Sequence, residues 1–154
     1  SLVGSEMCIR DSHMHGASQW RCEVLRRECE QRGLPAPGVI RLPADPSRAA
    51  QALEQWRASA PGVTGICAHD STAALAVLAG MRRLGWRAPE DLAVVGVSDS
   101  AAAALADPPL TMVALDPEVT ARYIVDVVTA LVAGSPTPPA PSSGGAILVD
   151  RDSV

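Results

Sequence analysis

Val63-Thr-Gly-Ile-Cys-Ala-His-Asp-Ser-Thr72 and Leu92-Ala-Val-Val-Gly-Val-Ser-Asp-Ser100 decide the fold of this chain. Each is an apolar strand that ends in a polar turn, and the second is unbroken from Leu92 to Val97. Runs without polar alternation belong to strands covered on both faces. The 19 residues between them carry apolar side chains at helical spacing, with Leu75, Leu78, Ala79 and Met81 as core candidates, and Asp70 or Ser71 as the N-cap. Gly85 stops that helix. A short Ala-rich helix then leads through Pro108-Pro109 to an apolar run, Leu110 to Leu115.

The same alternation extends outward. A helix is expected from about Ser18 to Gln31, capped by Ser18, ended by Gly33 and Pro35, with Trp20, Val24 and Leu25 on its buried side. Val39 to Leu42 reads as a strand. Asp45 or Ser47 caps a helix that turns Ala50, Leu53 and Trp56 inward. Beyond Leu115, Asp116 and Pro117 open a helix to Leu131, which Gly134 ends. Ser135 to Gly145 is a Pro/Ser/Gly loop, and Ala146 to Val149 is a last strand. Strands that alternate with helices of 10–15 residues require right-handed crossovers and a largely parallel sheet. The expected fold class is α/β: a Rossmann-like, three-layer parallel sheet.

Composition narrows the function. The 154 residues suffice for one domain with a real core, built without Phe and with one Tyr. There is no lysine. Thirteen arginines stand against 17 acids, for a formal net charge of -4, so the chain lacks the basic patch that grips phosphate backbones. The cysteines at 8, 22, 29 and 67 show no CxxC or zinc spacing, and buried free thiols of a reducing, cytoplasmic setting are expected. No metal and no cofactor are expected. No apolar run approaches the ~18 residues of a membrane helix, and no export signal is visible. There is no GxGxxG, P-loop, GxSxG or HExxH. Ser98, His69 and Asp99 contain the residue types of a hydrolytic triad, but nothing in their spacing favours one, and no enzyme is expected.

Chemistry concentrates at the two polar turns. His69-Asp70-Ser71 and Ser98-Asp99-Ser100 each follow the carboxyl end of a strand, where open α/β sheets hold their ligands.

Four ordered segments carry a resemblance. Gly65-Ile-Cys-Ala-His-Asp-Ser-Thr-Ala-Ala-Leu-Ala-Val-Leu-Ala-Gly-Met-Arg-Arg-Leu-Gly85 resembles the pattern "ANDxMAxGxxxAxxxxG". Ala88-Pro-Glu-Asp-Leu-Ala-Val-Val-Gly-Val-Ser-Asp-Ser100 resembles "VPxDVxVVGFDD". Pro108-Pro-Leu-Thr-Met-Val-Ala-Leu-Asp116 is similar to "PPLTTVxQD", and Leu148-Val-Asp-Arg-Asp-Ser-Val154 to "LVVRESV". These are motifs of the effector-binding domain of lactose-repressor/galactose-repressor transcription regulators, which is similar to periplasmic sugar-binding proteins.

The resemblance implies a periplasmic-binding-protein-like type I fold, covered over about residues 16–154. It implies a C-terminal subdomain from 16–108 and 146–154, with 110–134 crossing to an N-terminal subdomain. It also implies a carbohydrate or related effector, a homodimer formed through Ala73–Leu84 and Ala101–Leu105, and operator DNA bound only through a helix-turn-helix headpiece that this chain lacks. A transport-type solute-binding protein of the same architecture is the alternative. Residues 1–15 show no periodicity and look like a translated sequencing-adapter peptide, so they are expected to be a non-native or disordered tail.

The implied ligand residues are Arg21, His69, Ser98 and Asp99. Arg21 aligns with an arginine that reaches sugar hydroxyls or a carboxylate. His69 stands where the family has Asn or another polar contact. Ser98 replaces the first of two paired carboxylates, a clear departure, and Asp99 keeps the second, which is also placed to cap the next helix. Pro46 replaces an aromatic that often stacks on the sugar. Without the Ser98-position carboxylate, a standard hexose fits poorly.

Overall fold

The computed structural model describes residues 5–9, 16–43, 45–141 and 145–154, with side chains described from residue 20 onward. In chain order the elements are β1 (Ser5–Ile9), α1 (Gly16–Gln31), β2 (Gly38–Arg41), α2 (Pro46–Ser59) and β3 (Gly65–Ala68). They continue as α3 (Ser71–Leu84), β4 (Ala93–Val97), α4 (Ala101–Ala104), β5 (Thr111–Leu115), α5 (Pro117–Val132) and β6 (Ala146–Val149).

One six-stranded sheet runs in the order β2-β1-β3-β4-β5-β6. All pairings are parallel except β5–β6. The expected α/β class and parallel sheet hold.

The expectation for residues 1–15 needs correction at its centre. Ser5–Ile9 forms β1, an interior strand paired with β2 on one side and β3 on the other. The run is too short and too mixed to show a period, and its strand state comes from the ladder it completes between β2, which has no other partner, and β3. Residues 1–4 and 10–15, including His13 and His15, lie outside the described residues.

Caps set most helix boundaries. The Asp45 side chain accepts the Arg48 N–H at 2.8 Å, and the Asp70 side chain accepts the Ala73 N–H at 2.7 Å. Asp116 accepts the N–H groups of Glu118 and Val119. Gly85 takes the left-handed conformation (φ 71°) that closes α3. Ser18 is not an N-cap, because α1 already begins at Gly16.

Helix α1 presents Cys22 and Cys29 as its buried positions, whereas Trp20 is 68% exposed. The buried stripe therefore lies about one residue round from the expected one. The larger Trp side chain is left at the surface, and two small thiols make the close approach. Helix α3 shows the same rotation. Ala73, Ala74, Val77, Leu78, Gly80 and Met81 are buried, while Leu75 and Ala79 are only partly so.

The core lies between the sheet and the α2/α3 layer, with Leu53, Ile66, Val77, Met81, Leu92, Val94, Leu110 and Met112 at its centre. It lacks large aromatics, so it closes by tight backbone approach. A Cβ on Gly80 would meet Leu53 Cδ1 at 2.8 Å and the Ala50 backbone N at 3.0 Å, so α2 and α3 cross at a site only Gly fits. A Cβ on Gly96 would meet Met112 Sδ at 2.6 Å.

The chain's end stitches β4 to β5. Ser153 is fully buried, and its Oγ donates to Val94 O at 2.6 Å and accepts the Thr111 N–H at 2.8 Å. Beyond that stitch, α5 buries no residue. Ile124, Val125, Val128, Leu131 and Val132 are exposed on it, as are Ile147 and Leu148 on β6.

Two substitutions test this packing. Gly80→Val should cost about 1–3 kcal/mol through overpacking at the α2–α3 crossing, read by urea unfolding. Ser153→Ala should cost about 1–3 kcal/mol, because the buried Thr111 N–H loses its acceptor. The exposed neighbour Asp152→Ala should stay within about 0.5 kcal/mol. Equal stability of the Ser153 and Asp152 variants contradicts the stitch.

Candidate functional site

The strand order 2-1-3-4-5 places the reversal of chain direction between β1 and β3. Ligands of doubly wound sheets sit at that switch point, outside the carboxyl ends of the strands. His69 is the first residue past β3, and α1, which follows β1, carries Arg21 in its second turn. Arg21 and His69 are therefore the residues that topology brings to the crevice.

They touch. Arg21 Nη1 donates to the His69 carbonyl oxygen at 3.1 Å and lies 3.2 Å from His69 Nδ1. A guanidinium has no acceptor, so Nδ1 accepts and the imidazole is the neutral tautomer with its proton on Nε2. Both Nη1 hydrogens are thereby committed. Asp70, next in sequence, spends its carboxylate on the α3 cap.

Ser98 and Asp99 lie at the end of the adjacent strand. The β3–β4 register pairs Ala68 with Gly96, so Ser98 sits one residue past the point opposite His69. Ser98 has φ 64°, rare for a non-glycine residue, and its N–H donates to Val113 O at 2.8 Å. This turn swings Asp99 away from the ligand position. The Asp99 carboxylate is held by both terminal nitrogens of Arg151, at 2.8 and 2.7 Å. The N-cap of α4 is Ser100, whose side chain accepts the Ala103 N–H at 3.2 Å, so Asp99 does not cap that helix.

Of the four expected ligand residues, the structure joins Arg21 and His69 directly and sets Ser98 beside them on the neighbouring strand. It engages Asp99 elsewhere. The residue that sequence reading missed is Arg151. Its signal was the terminal Leu148–Val154 segment, read only as a matching motif. Arg151 also donates to Leu110 O at 2.7 Å, and its backbone N–H and carbonyl both bond the Thr111 hydroxyl at 2.9 Å.

The triad geometry is absent, since His69 faces Arg21 and Asp99 faces Arg151. Cys67, just before the site, is pushed up from its usual range by burial, which disfavours a reactive thiolate. Among the described residues no three His, Cys, Asp or Glu groups cluster as a metal site. A concavity of about 470 Å³ lies at the other end of the sheet, where Gly85, Trp86 and Arg87 lead into β4. It is remote from the switch point.

His69 is held below its ordinary value of 6.5 by burial first and Arg21 second, with Asp70 opposing. The folded state thus binds fewer protons than the unfolded chain. The stability tied to His69 is fully present above pH 6.5 and is lost as pH falls through the lowered folded value. His69→Gln should flatten the fall in melting temperature between pH 7.5 and 5. A variant with the parent's full pH slope contradicts the lowering of His69 by burial and by Arg21.

The chain matches the family model of the periplasmic binding protein-like domain over residues 5–154. The HTH-type transcriptional regulator CelR of Thermobifida fusca is 35% identical over 88 residues, which are 57% of this chain and 26% of that protein. The structure of a CelR–cellobiose complex superposes with a TM-score of 0.75 at 26% identity, over 99% of this chain and 47% of that one. A lactose complex of a LacI-family regulator from Arthrobacter sp. FB24 superposes with a TM-score of 0.70 at 24% identity, over 96% and 56%. This chain spans about half the length of those two structures. The chain belongs to the periplasmic binding protein-like domain family, and its resemblance is to the effector-binding domain of lactose-repressor/galactose-repressor regulators.

Proposed function

We propose that this chain is the ligand-sensing module of a bacterial transcriptional repressor, a cytoplasmic and non-enzymatic protein. The observation that carries the reading is the Arg21–His69 pair at the β1/β3 switch point, set against relatives that are regulators. A donor-rich surface without a nucleophile, a metal cluster or an assembled acid–base pair among its described residues binds a small molecule and leaves it unchanged. The sugar complexes of the neighbours support a carbohydrate or a derivative as the effector class.

The mechanism is set by where the site lies. Effector binding draws a second wall toward the crevice, and the shift changes how paired DNA-binding headpieces are spaced. β5, α5 and β6 suit the crossing: β5 begins in the main sheet beside β4, then continues with β6 as an antiparallel ribbon. The apolar α5 is what a helix crossing to that wall would bring. The 154 residues, with a formal net charge of -4, contribute no DNA contact of their own in this reading.

Dimerisation is assigned to the α3/α4 face. Leu75, Leu78, Ala79, Leu105 and Ala106 line a concavity of about 310 Å³ there, and Leu105 is 85% exposed. A large apolar side chain so exposed, beside small residues, suits an isologous contact.

Three measurements test this reading. Titration with a panel of neutral, phosphorylated and acidic sugars should raise the melting temperature saturably for at least one of them. A flat response across the whole panel contradicts a carbohydrate or carbohydrate derivative as the effector. A low-salt gel shift should show no sequence-specific complex, and a specific complex contradicts the reading of these residues as a sensing module without DNA contacts. Sedimentation should show a dimer at tens of micromolar, and Leu105→Glu should raise its dissociation constant at least tenfold without lowering stability. A monomeric parent chain contradicts the assigned face.

A further inference from the structure

The charge pattern of the switch-point site narrows the effector beyond the carbohydrate class, on the reading of this site as an effector site. Hydroxyl-rich neutral ligands are held by carboxylates, which accept from their O–H groups. This site offers no free carboxylate among its described residues. Position 98, at the end of β4, is Ser. Asp99 is bidentate to Arg151, so both its oxygens and its charge are already matched. Asp70 is tied to the Ala73 N–H at the amino end of α3, where a negative charge belongs.

Arg21 is the opposite case. Its Nη1 is anchored by the His69 carbonyl and ring nitrogen, and no acid among the described residues pairs with it. That anchoring leaves the Nε–H and both Nη2 hydrogens without a partner among the described residues, in the planar edge that meets two oxygens of an oxyanion at once. The side chain is half-buried, so its charge is only partly screened by water. At the end of the neighbouring strand, the Ser98 hydroxyl is a further donor without a partner among the described residues. Donors around a cation that no described acid matches, with the carboxylates of Asp70 and Asp99 already engaged, select a negatively charged group.

We propose that the effector carries an oxyanion, a phosphate or a carboxylate on a sugar-sized body, and that Arg21 binds it through its Nε/Nη2 edge beside His69 and Ser98. The absence of a carboxylate at position 98 is then part of the specificity. An acid there would repel the ligand's anion.

Nuclear magnetic resonance on the 154-residue chain tests this, with glucose, glucose 6-phosphate and inorganic phosphate titrated at constant ionic strength. Glucose 6-phosphate and phosphate should shift the Arg21 Nε–H and the amides of His69–Thr72 and Ser98 saturably, at millimolar concentrations, and glucose should not. Arg21→Met should weaken that response at least tenfold, and Arg21→Lys should recover part of it. Ser98→Asp leaves Arg21 in place, is tolerated at positive φ, and should also weaken the anion response at least tenfold.

If the same resonances follow glucose and ignore the anions, the effector site stands and the oxyanion assignment falls. If they answer to neither, both fall. An anion response that survives Arg21→Met and Ser98→Asp is surface binding and overturns the assignment.

Discussion

Ser153 holds the molecule's functional edge together. A single buried hydroxyl donates to β4 and accepts from β5, and the Ser153 carbonyl takes the Val94 N–H at 2.8 Å. The C-terminal residues thus fill the place between the two strands where the sheet begins to part. Two residues earlier, Arg151 ties the same segment to Asp99 and to the carbonyl of Leu110. The end of β4, the start of β5 and the chain's last turn form one hydrogen-bonded unit. Its loss exposes buried donors rather than a surface patch, and for that reason it governs both the core and the loop that carries Ser98.

The unit also explains the division of labour between the two polar turns. At β4 the acid is recruited into structure, and the turn is strained at Ser98 to reach it. At β3 the acid caps a helix, and the histidine braces an arginine that arrives from α1. The carboxylates of Asp70 and Asp99, which a ligand could have used as acceptors, are consumed by the fold, and among the described residues Arg21 is the cation left at the crevice. The chemistry of the site is therefore set as much by what the backbone occupies as by which residues stand at the strand ends.

The layout was legible in the sequence wherever one force dominated. Continuous apolar runs marked β3, β4 and β5, and Asp45, Asp70 and Asp116 marked helix starts, because a cap is a local hydrogen bond that one residue decides. Helix faces were less legible. Trp20 was expected inside, yet Cys22 and Cys29 are the buried pair, and in α3 the face turned from Leu75 and Ala79 toward Ala74 and Val77. Hydrophobicity favoured the larger side chains, whereas close approach to a sheet of small residues favoured the smaller ones. β1 was illegible for a different reason. Its five residues become a strand through partners at Gly38–Arg41 and Gly65–Ala68, distant in sequence. At the site, His69 could be placed from the end of its apolar run, and Arg21 through the family resemblance, because β1, which sets the switch point, was not legible. The engagement of Asp99 depended on Arg151, 52 residues away, and no local pattern announces such a pair.

A repressor's sensing module and a transport-type binding protein share this architecture and differ in what precedes it. The most direct measurement is the sequence of the gene on the 5′ side of the Ser1 codon. A regulator requires an in-frame helix-turn-helix segment followed by the strands and helices of a first subdomain. An export signal or lipoprotein signal in that place, with no helix-turn-helix, would contradict the assignment as a transcriptional sensor.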